Sequence, residues 1–232
     1  MLIGGLQKLT LIDYPGKIAA TVFTLGCNFY CHFCHNPELV DPAKIKKQPL
    51  ISEKEFFEFL SGRQGTLDGV CITGGEPLLQ PDLEKFIKKI KNLGFAVKLD
   101  TNGSNPGMLK KLIKNNLIDY ISMDIKGPFK KYQEICGKKI DVNNIKKSIE
   151  VIKNSGLDYE FRTTIVPAFH AKEDILEMAR ELSPAKKYFL QQFRPGKNLN
   201  PSFEKEKAYP IEKLIEFSKI IQPFFDYCGI RE

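Results

Sequence analysis

The feature that most constrains this chain is a regular alternation of short apolar runs with longer amphipathic segments. Apolar runs of strand length predict strands at 18–25, 69–73, 95–100, 120–125, 159–166 and 188–193. Segments with helical periodicity follow them at about 53–61, 81–93, 106–115, 142–154, 172–182 and 210–221. Six β-then-α units in this order predict a parallel sheet, either doubly wound or curled into an incomplete barrel.

The length and the uniform patterning indicate one folding unit. A chain of 232 residues suffices for one α/β domain with a substantial core, and an apolar content of 42% is ordinary for a folded protein. No internal repeat, low-complexity run or linker interrupts the pattern, so residues 1–232 are predicted to form a single domain. Residues 4–16, which include an Asp-Tyr-Pro-Gly turn, are predicted to add a short N-terminal β extension.

The chain is basic, with a net charge of +7 and an isoelectric point near 9.0. Its lysines are spread along predicted helices, as at 85–91, without the Arg-rich arm or interleaved aromatic patch that binds nucleic acid. We therefore expect no nucleic-acid partner, whereas a basic surface would suit an acidic electron-donor protein. No apolar stretch approaches the roughly 20 residues of a membrane span, and Met1 is not followed by a signal sequence. A cytoplasmic protein without membrane contact is expected.

Half of the six cysteines fall within eight residues, at Cys27, Cys31 and Cys34. Disulfides are rare in the cytosol, so a thiolate metal site is the better interpretation of this cluster. A structural zinc site needs four closed ligands, so His32 or His35 would have to supply the last one. A 4Fe–4S cluster held by three cysteines instead has one iron without a protein ligand, and the spacing alone leaves both possibilities open. The remaining cysteines are expected in the core: Cys71, Cys136 and Cys228.

Glycines and polar residues collect where the predicted strands end. In Gly74-Gly75-Glu76-Pro77, two glycines let backbone pass close to a ligand, and Glu76 supplies a negative charge. A buried parallel strand should be almost wholly apolar, so polar residues of one parity at a strand end indicate a site. Such sets are Lys98, Asp100 and Asn102; Ser122, Asp124 and Lys126; Arg162 and Thr164; and Gln192 and Arg194. His170, in a later loop, is expected at the surface.

The cysteine loop and the glycine loop together resemble a known superfamily. The spacing CxxxCxxC, with Phe33 before the last cysteine, resembles the signature of the radical S-adenosylmethionine superfamily, and 74–77 resembles its GGEP motif. Strings at 10–16, 34–37, 161–167 and 191–195 extend the resemblance over nearly the whole chain. They are most similar to the activating protein of anaerobic ribonucleoside-triphosphate reductase in its longer form, one of the glycyl-radical enzyme activating proteins. Of the two sheet architectures, we then expect the α/β incomplete (β/α)6 barrel with mostly parallel strands.

The resemblance implies two cofactors, one 4Fe–4S cluster and S-adenosyl-L-methionine. The cluster ligands would be Cys27, Cys31 and Cys34, and the interval from Cys34 to Gly74 is too short for a further ferredoxin-like domain. Phe33 would lie near the adenine, and the strand-end residues would contact the ammonium, ribose and carboxylate. The positions expected at S-adenosylmethionine are Phe33, Gly74, Gly75, Glu76, Asp100, Asn102, Asp124, Lys126 and Arg162.

The implied reaction is reductive cleavage of S-adenosylmethionine to methionine and a 5′-deoxyadenosyl radical, which removes hydrogen from a glycine of a partner enzyme. The expected partner is an anaerobic ribonucleotide reductase, with flavodoxin or ferredoxin as electron donor. Protein side chains would supply orientation and exclude water, without a general acid or base. Alternatives are an activase of the pyruvate formate-lyase type, a small-molecule radical enzyme such as a deazapurine-forming one, and a non-enzymatic iron–sulfur or zinc binding module. The polar strand ends argue against the module, because a carrier needs no site for a zwitterion.

Overall fold

Eight strands form one sheet in which spatial order follows the chain, in a computed structural model that describes residues 1–231. The strands are β1 (Ile3–Thr10), β2 (Ala19–Thr24), β3 (Gly69–Gly74), β4 (Ala96–Thr101), β5 (Tyr120–Asp124), β6 (Asp158–Ile165), β7 (Ala185–Gln192) and β8 (Phe225–Arg231). β1 is antiparallel to β2, and every later pair of neighbours is parallel. The two edge strands do not pair with each other in the described part of the chain, so the barrel is open.

Six helical connections link the seven parallel strands. The helices are α1 (Pro37–Val40), α2 (Pro42–Ile45), α3 (Glu53–Ser61), α4 (Leu83–Asn92), α5 (Pro106–Lys114), α6 (Tyr132–Cys136), α7 (Val142–Lys153), α8 (Lys172–Leu182) and α9 (Ile211–Ile221). The six long helices begin and end within two residues of their predicted bounds. The predicted incomplete (β/α)6 barrel and its N-terminal β extension are therefore confirmed.

The last strand, β8, is missing from the sequence prediction, as are the short helices α1, α2 and α6. Residues of β8 include Asp226 and Gly229, which have low β propensity. The strand forms because it pairs along β7 and because Arg231 donates two hydrogen bonds, of 2.6 and 2.7 Å, to the buried carboxylate of Glu160 in β6. A tertiary contact of this kind, 71 residues apart in the chain, leaves no local signal.

The long helices form because one face of each is apolar. In α4, the buried residues Leu83, Phe86, Ile87 and Ile90 recur at the spacing of one helical face, while lysines occupy the other face. Burial of each such side chain contributes about 1.5–3 kcal/mol before the loss of conformational entropy is counted. None of the described helices is long and apolar enough to cross a membrane.

The inner face of the sheet is polar, in contrast to its helix-covered face. Glu160 is fully buried and accepts hydrogen bonds from the hydroxyls of Tyr120, at 2.9 Å, and Ser122, at 2.5 Å. Arg231 donates two more hydrogen bonds to Glu160 and neutralises its charge, so this buried carboxylate accepts four hydrogen bonds in all. This layer ties β5, β6 and β8 together on the same face that carries the strand-end residues.

Candidate active site

A cavity of about 260 Å³ lies where the carboxyl ends of β3 to β7 meet the loop that follows β2. All twelve residues singled out as ligands or cofactor contacts line it: Cys27, Cys31, Phe33, Cys34, Gly74, Gly75, Glu76, Asp100, Asn102, Asp124, Lys126 and Arg162. Eight further residues complete the lining: Phe29, His35, Asn36, Val40, Thr73, Thr101, Thr164 and Gln191. The volume approaches the roughly 300 Å³ at which small-molecule sites begin.

The cysteine loop brings three free thiols to this cavity. Cys31 is buried, whereas Cys27 and Cys34 are half-buried, and none of the three forms a disulfide. The loop is folded tightly, since the Cys34 backbone N–H donates to the Cys31 carbonyl at 3.0 Å. Burial raises the pKa of the Cys27 thiol to about 12 and that of Cys34 above its ordinary value, so both are held as thiols until a metal is present.

The donor set fits an iron–sulfur cluster better than a single ion. Within residues 1–231, no three or more His, Cys, Asp or Glu side chains converge closely enough to hold one metal ion. His32, one of the two residues that could complete a zinc site, does not line the cavity and packs instead against the rings of Phe169 and Phe203. Three thiols spaced around one cavity suit a cubane, whose irons occupy separate corners.

The glycine loop after β3 is pressed against the entrance to the cysteine loop. Gly74 has a φ of +117°, and a Cβ there would lie 2.3 Å from the Thr24 nitrogen. A Cβ on Gly75 would lie 2.1 Å from the carbonyl oxygen of Gly26. The backbones instead form hydrogen bonds, from Gly75 N–H to the Thr24 carbonyl at 2.9 Å and from Glu76 N–H to the Gly26 carbonyl at 2.8 Å. Glycine is therefore required here by the close approach of two backbones.

The sequence suggests that Glu76 offers a free charge to a ligand, but in the structure its carboxylate is bonded to other parts of the protein. Its side chain is 1% exposed and accepts hydrogen bonds from the Thr101 hydroxyl at 2.7 Å, the Leu78 N–H at 3.0 Å and the Asn102 N–H at 2.7 Å. Burial raises the pKa of this carboxyl to about 7, although these three donors act in the opposite direction. Glu76 lines the cavity while it fixes the end of β4 to the glycine loop.

A chain of ion pairs crosses the carboxyl ends of β4, β5 and β6. Arg162 bonds through Nη2 to Asp100, at 2.9 Å, and through Nε to Asp124. Lys98 bonds to Asp100, and Lys126 bonds to Asp124 at 3.0 Å. Burial alone would raise the pKa of both aspartates, but the neighbouring cations outweigh it and hold the pKa of each below its usual range. Both carboxylates are thus ionised at the cavity wall at neutral pH.

Two further side chains connect the cysteine loop to its surroundings. The Asn102 amide donates to the Asn28 side chain at 3.0 Å and lies 3.8 Å from the Cys27 sulfur. The Phe33 ring is 5% exposed and packs 6.2 Å, between ring centroids, from Phe169. Phe33 thus lines the cavity from a packed position.

The structure corrects one strand-end prediction. Thr164 of β6 pairs with Gln191 of β7, and it is Gln191 that lines the cavity. Gln192 has the opposite parity and donates instead to the Tyr209 carbonyl at 2.6 Å, while Arg194 is exposed beyond the end of the strand. The predicted pair was wrong because two adjacent glutamines give no local sign of which one faces inward.

The surface position expected for His170 is also wrong, since its side chain is fully buried. Its Nδ1 accepts a hydrogen bond from the Val166 N–H at 2.9 Å, and its Nε2 donates to the Lys126 carbonyl at 2.9 Å. Burial lowers the pKa of this histidine to about 4, so a neutral ring joins the loops after β5 and β6. The three scattered cysteines are buried as predicted: Cys71, Cys136 and Cys228.

Comparison with known proteins assigns this open parallel barrel, with three thiols and strand-end charges at its carboxyl edge, to a superfamily. The radical SAM superfamily model matches residues 21–190, which is most of the chain. Within this superfamily, the chain is 35% identical over 238 residues to a Methanocaldococcus jannaschii protein provisionally named a glycyl-radical enzyme activating enzyme, covering 99% of this chain and 95% of that protein. It is also 32% identical over 190 residues to the pyruvate formate-lyase-activating enzyme of Clostridium pasteurianum, covering 76% of this chain and 74% of that enzyme. The chain belongs to the glycyl-radical enzyme activating enzymes of the radical SAM superfamily.

Among solved structures, that of Streptococcus suis SuiB bound to S-adenosylmethionine has the same fold. The TM-score is 0.68 over 91% of this chain, at 14% sequence identity, and the match covers 52% of the SuiB chain. At this identity the likeness extends to the fold alone.

Proposed function

We propose that this chain activates an anaerobic ribonucleoside-triphosphate reductase by generating a glycyl radical on it. The observation that carries the radical chemistry is the single cavity in which three thiols meet charged strand ends. The strings at 10–16, 34–37, 161–167 and 191–195 support this partner. The protein would act in the cytoplasm as one domain, residues 1–232, with a flavodoxin or ferredoxin as electron donor.

Cys27, Cys31 and Cys34 would hold one 4Fe–4S cluster by three of its irons. When bound, the cluster and S-adenosylmethionine supply one-electron cleavage of the sulfonium and a carbon radical that removes hydrogen from glycine. The chain would contribute the shape of the site: a buried Cys31 between two half-buried cysteines, a tight loop, and a wall that would exclude water from the reacting atoms.

The strand-end charges would bind the methionine part of the cofactor. Asp100 and Asp124 are ionised at the cavity wall and would attract the ammonium group, whereas Lys126 would attract the carboxylate. Asn102 would contact the ribose, and Phe33 would lie against the adenine. Gly74 and Gly75 would let backbone pass close to the cofactor, and Glu76 would shape the wall and add negative charge to it when ionised. Arg162 would hold the two aspartates in place.

The first experiment tests the chemistry. Anaerobically reconstituted protein should carry about four irons per chain and release 5′-deoxyadenosine from S-adenosylmethionine on reduction. The variant Cys31→Ala should lose the cleavage, and Cys71→Ala, at a buried cysteine that does not line the cavity, is the matched control. Cleavage that persists without Cys31, or tightly bound zinc in place of iron, would overturn the proposal.

The second experiment tests the partner. Reduced enzyme with S-adenosylmethionine should produce a glycyl radical, detected by electron paramagnetic resonance, when an anaerobic ribonucleotide reductase is added. The similarity to the C. pasteurianum enzyme favours one alternative substrate, pyruvate formate-lyase. A radical on that enzyme and none on the reductase would leave the chemistry intact and replace the partner.

A further inference from the structure

A basic groove lies on the surface beside α6, apart from the cavity. It has a volume of about 720 Å³ and is lined by Lys130, Gln133, Glu134, Gly137, Lys138 and Lys139. Lys130 is paired with Glu177 at 2.5 Å, whereas Lys138 and Lys139 are exposed and form no ion pair with the described residues. Glu134 and the Glu177 partner of Lys130 offset two of the three lysine charges, so the groove keeps an excess of one positive charge, at Lys138 and Lys139.

The back of the groove rests directly on the cysteine loop. Gly137 has a φ of +62°, and a Cβ there would lie 2.6 Å from the Tyr30 carbonyl oxygen and 3.6 Å from the His32 ring. The Tyr30 N–H donates to the Cys136 carbonyl at 2.8 Å, and the Lys138 ammonium lies 5.5 Å from the centre of the Tyr30 ring. Only glycine allows the turn after α6 to come this close to the loop.

A short route therefore joins the groove to a cluster ligand. Tyr30 directly precedes Cys31 in the chain, and the backbone of Tyr30 is hydrogen-bonded to Cys136, the residue before Gly137. The route runs from the groove through one turn of backbone to a thiol that faces the cavity. No residue lines both the groove and the cavity, so the groove is a separate feature of the surface.

We infer that this groove is the docking surface for an acidic electron-donor protein. The inference rests on the proposed function, since it requires a cluster on Cys31. In the docked complex, one electron leaves the reduced flavin of the donor and enters the cluster, so the flavin is oxidised by one electron and the cluster is reduced by one. No covalent bond forms or breaks in this step. Redox proteins meet through small interfaces and are steered together by charge. Two lysines without an ion-pair partner among the described residues, close to a cluster ligand, suit such an interface.

The test compares two reductants on the reconstituted enzyme. A flavodoxin of net negative charge reduces through docking, whereas dithionite is a small ion that needs no docking site. The variant Lys138→Glu/Lys139→Glu reverses the charge of the groove. The control Lys110→Glu/Lys114→Glu makes the same change in net charge on α5, at exposed lysines that line neither the groove nor the cavity. The bimolecular rate of cluster bleaching by flavodoxin is measured by stopped flow, and the affinity for oxidised flavodoxin by calorimetry.

We expect the groove variant to lose at least about tenfold in bimolecular rate at low ionic strength, because steering enhances such rates by 10–10³. The affinity should fall in parallel, and both differences should shrink at high salt, where charges are screened within a few ångströms. Dithionite should bleach the cluster of each variant at the wild-type rate. A flavodoxin rate equal to wild type, or an equal loss in the α5 control, would overturn the inference.

Two further outcomes separate the docking surface from the proposed function. If the groove variant forms less glycyl radical on the reductase with dithionite as reductant, the groove binds the substrate protein and the inference is wrong. If wild-type enzyme takes up the electron from flavodoxin with the expected dependence on Lys138 and Lys139 but cleaves no S-adenosylmethionine, the docking surface stands and the proposed activity fails.

Discussion

Replacement of Arg162 by methionine tests whether the strand-end charges form a coupled network. The change replaces the aliphatic stem of arginine by an unbranched apolar chain and removes the bonds to Asp100 and Asp124. Charge-assisted hydrogen bonds contribute about 1.5–3 kcal/mol each, and an unpaired buried charge costs about 3–5 kcal/mol. Lys98 and Lys126 still neutralise one aspartate each, so we expect a loss of about 3 kcal/mol in the free energy of unfolding at pH 7.

The loss should depend on pH in a direction fixed by the aspartates. The pKa of each is below its unfolded value in the folded protein, so their stabilisation is complete above a pH of about 5 and is lost as the pH falls further. At pH 4, two aspartates together should already have lost up to about 0.7 kcal/mol in wild type, and the variant should have lost less. The two proteins therefore converge in acid.

Urea unfolding of the cluster-free protein, followed by circular dichroism at pH 7 and pH 4, measures both effects. For a slope of about 3 kcal/mol per molar urea, the midpoint of the variant should fall by about 1 M at pH 7. Arg180→Met, at an exposed arginine of α8 without an ion pair among the described residues, should change stability by less than about 0.5 kcal/mol. A penalty for Arg162→Met no larger than this control, or one that grows as the pH falls, would refute the coupled network.

Three other substitutions test separate parts of the site. Gly75→Ala should destabilise the protein by about 1–3 kcal/mol and lower iron uptake, because the new Cβ would lie 2.1 Å from the backbone of the cysteine loop. The control Gly107→Ala in α5 has room for the Cβ and should stabilise the protein by about 0.5–1 kcal/mol. Equal urea midpoints for the two variants would contradict the geometry. His170 has a pKa of about 4 when folded and about 6.5 when unfolded, so its titration should cost wild type about 2.6 kcal/mol as the pH falls from 6.5 to 4. His170→Gln should lack this contribution and keep only the smaller loss from the carboxylates, so a pH profile parallel to wild type would disprove the assignment. Cys136→Ala should keep about four irons per chain, because Cys136 is buried and does not line the cavity. An iron content as low as that of Cys31→Ala would make Cys136 a ligand.

The fold could be predicted as far as local patterns specify it. The strands β2 to β7 coincide with short apolar runs, so the residues of each strand were sufficient to locate it. β8 could not be found in this way, because its stability depends on pairing with β7 and on Arg231 reaching Glu160 across the barrel. Its polar positions, such as Asp226, resemble an ordinary terminal segment until that partner is known.

The sequence predicted which residues line the site better than it predicted the contacts that each of them makes. Parity identified Asp100, Asp124 and Arg162 as neighbours, because successive parallel strands present the same face at the same edge. The bonds of Glu76 to residues 25 and 26 positions away, and the burial of His170, depend on how loops fold onto one another. No local pattern distinguishes a carboxylate that faces a ligand from one that holds a loop.

The charges that line the cavity also bear on which molecule it accepts. Asp100 and Asp124 are held ionised by their neighbours, and Glu76, with a pKa of about 7, adds a further fraction of a negative charge near neutral pH. Arg162 and Lys126 supply the two cationic side chains in the lining. The wall therefore becomes a net negative one as the pH rises through 7, which favours a ligand of net positive charge such as S-adenosylmethionine, with its sulfonium and ammonium groups against one carboxylate. The same titration means that affinity for this cofactor should rise between pH 6 and 8, and that an uncharged-sulfur analogue such as S-adenosylhomocysteine should gain less over that range.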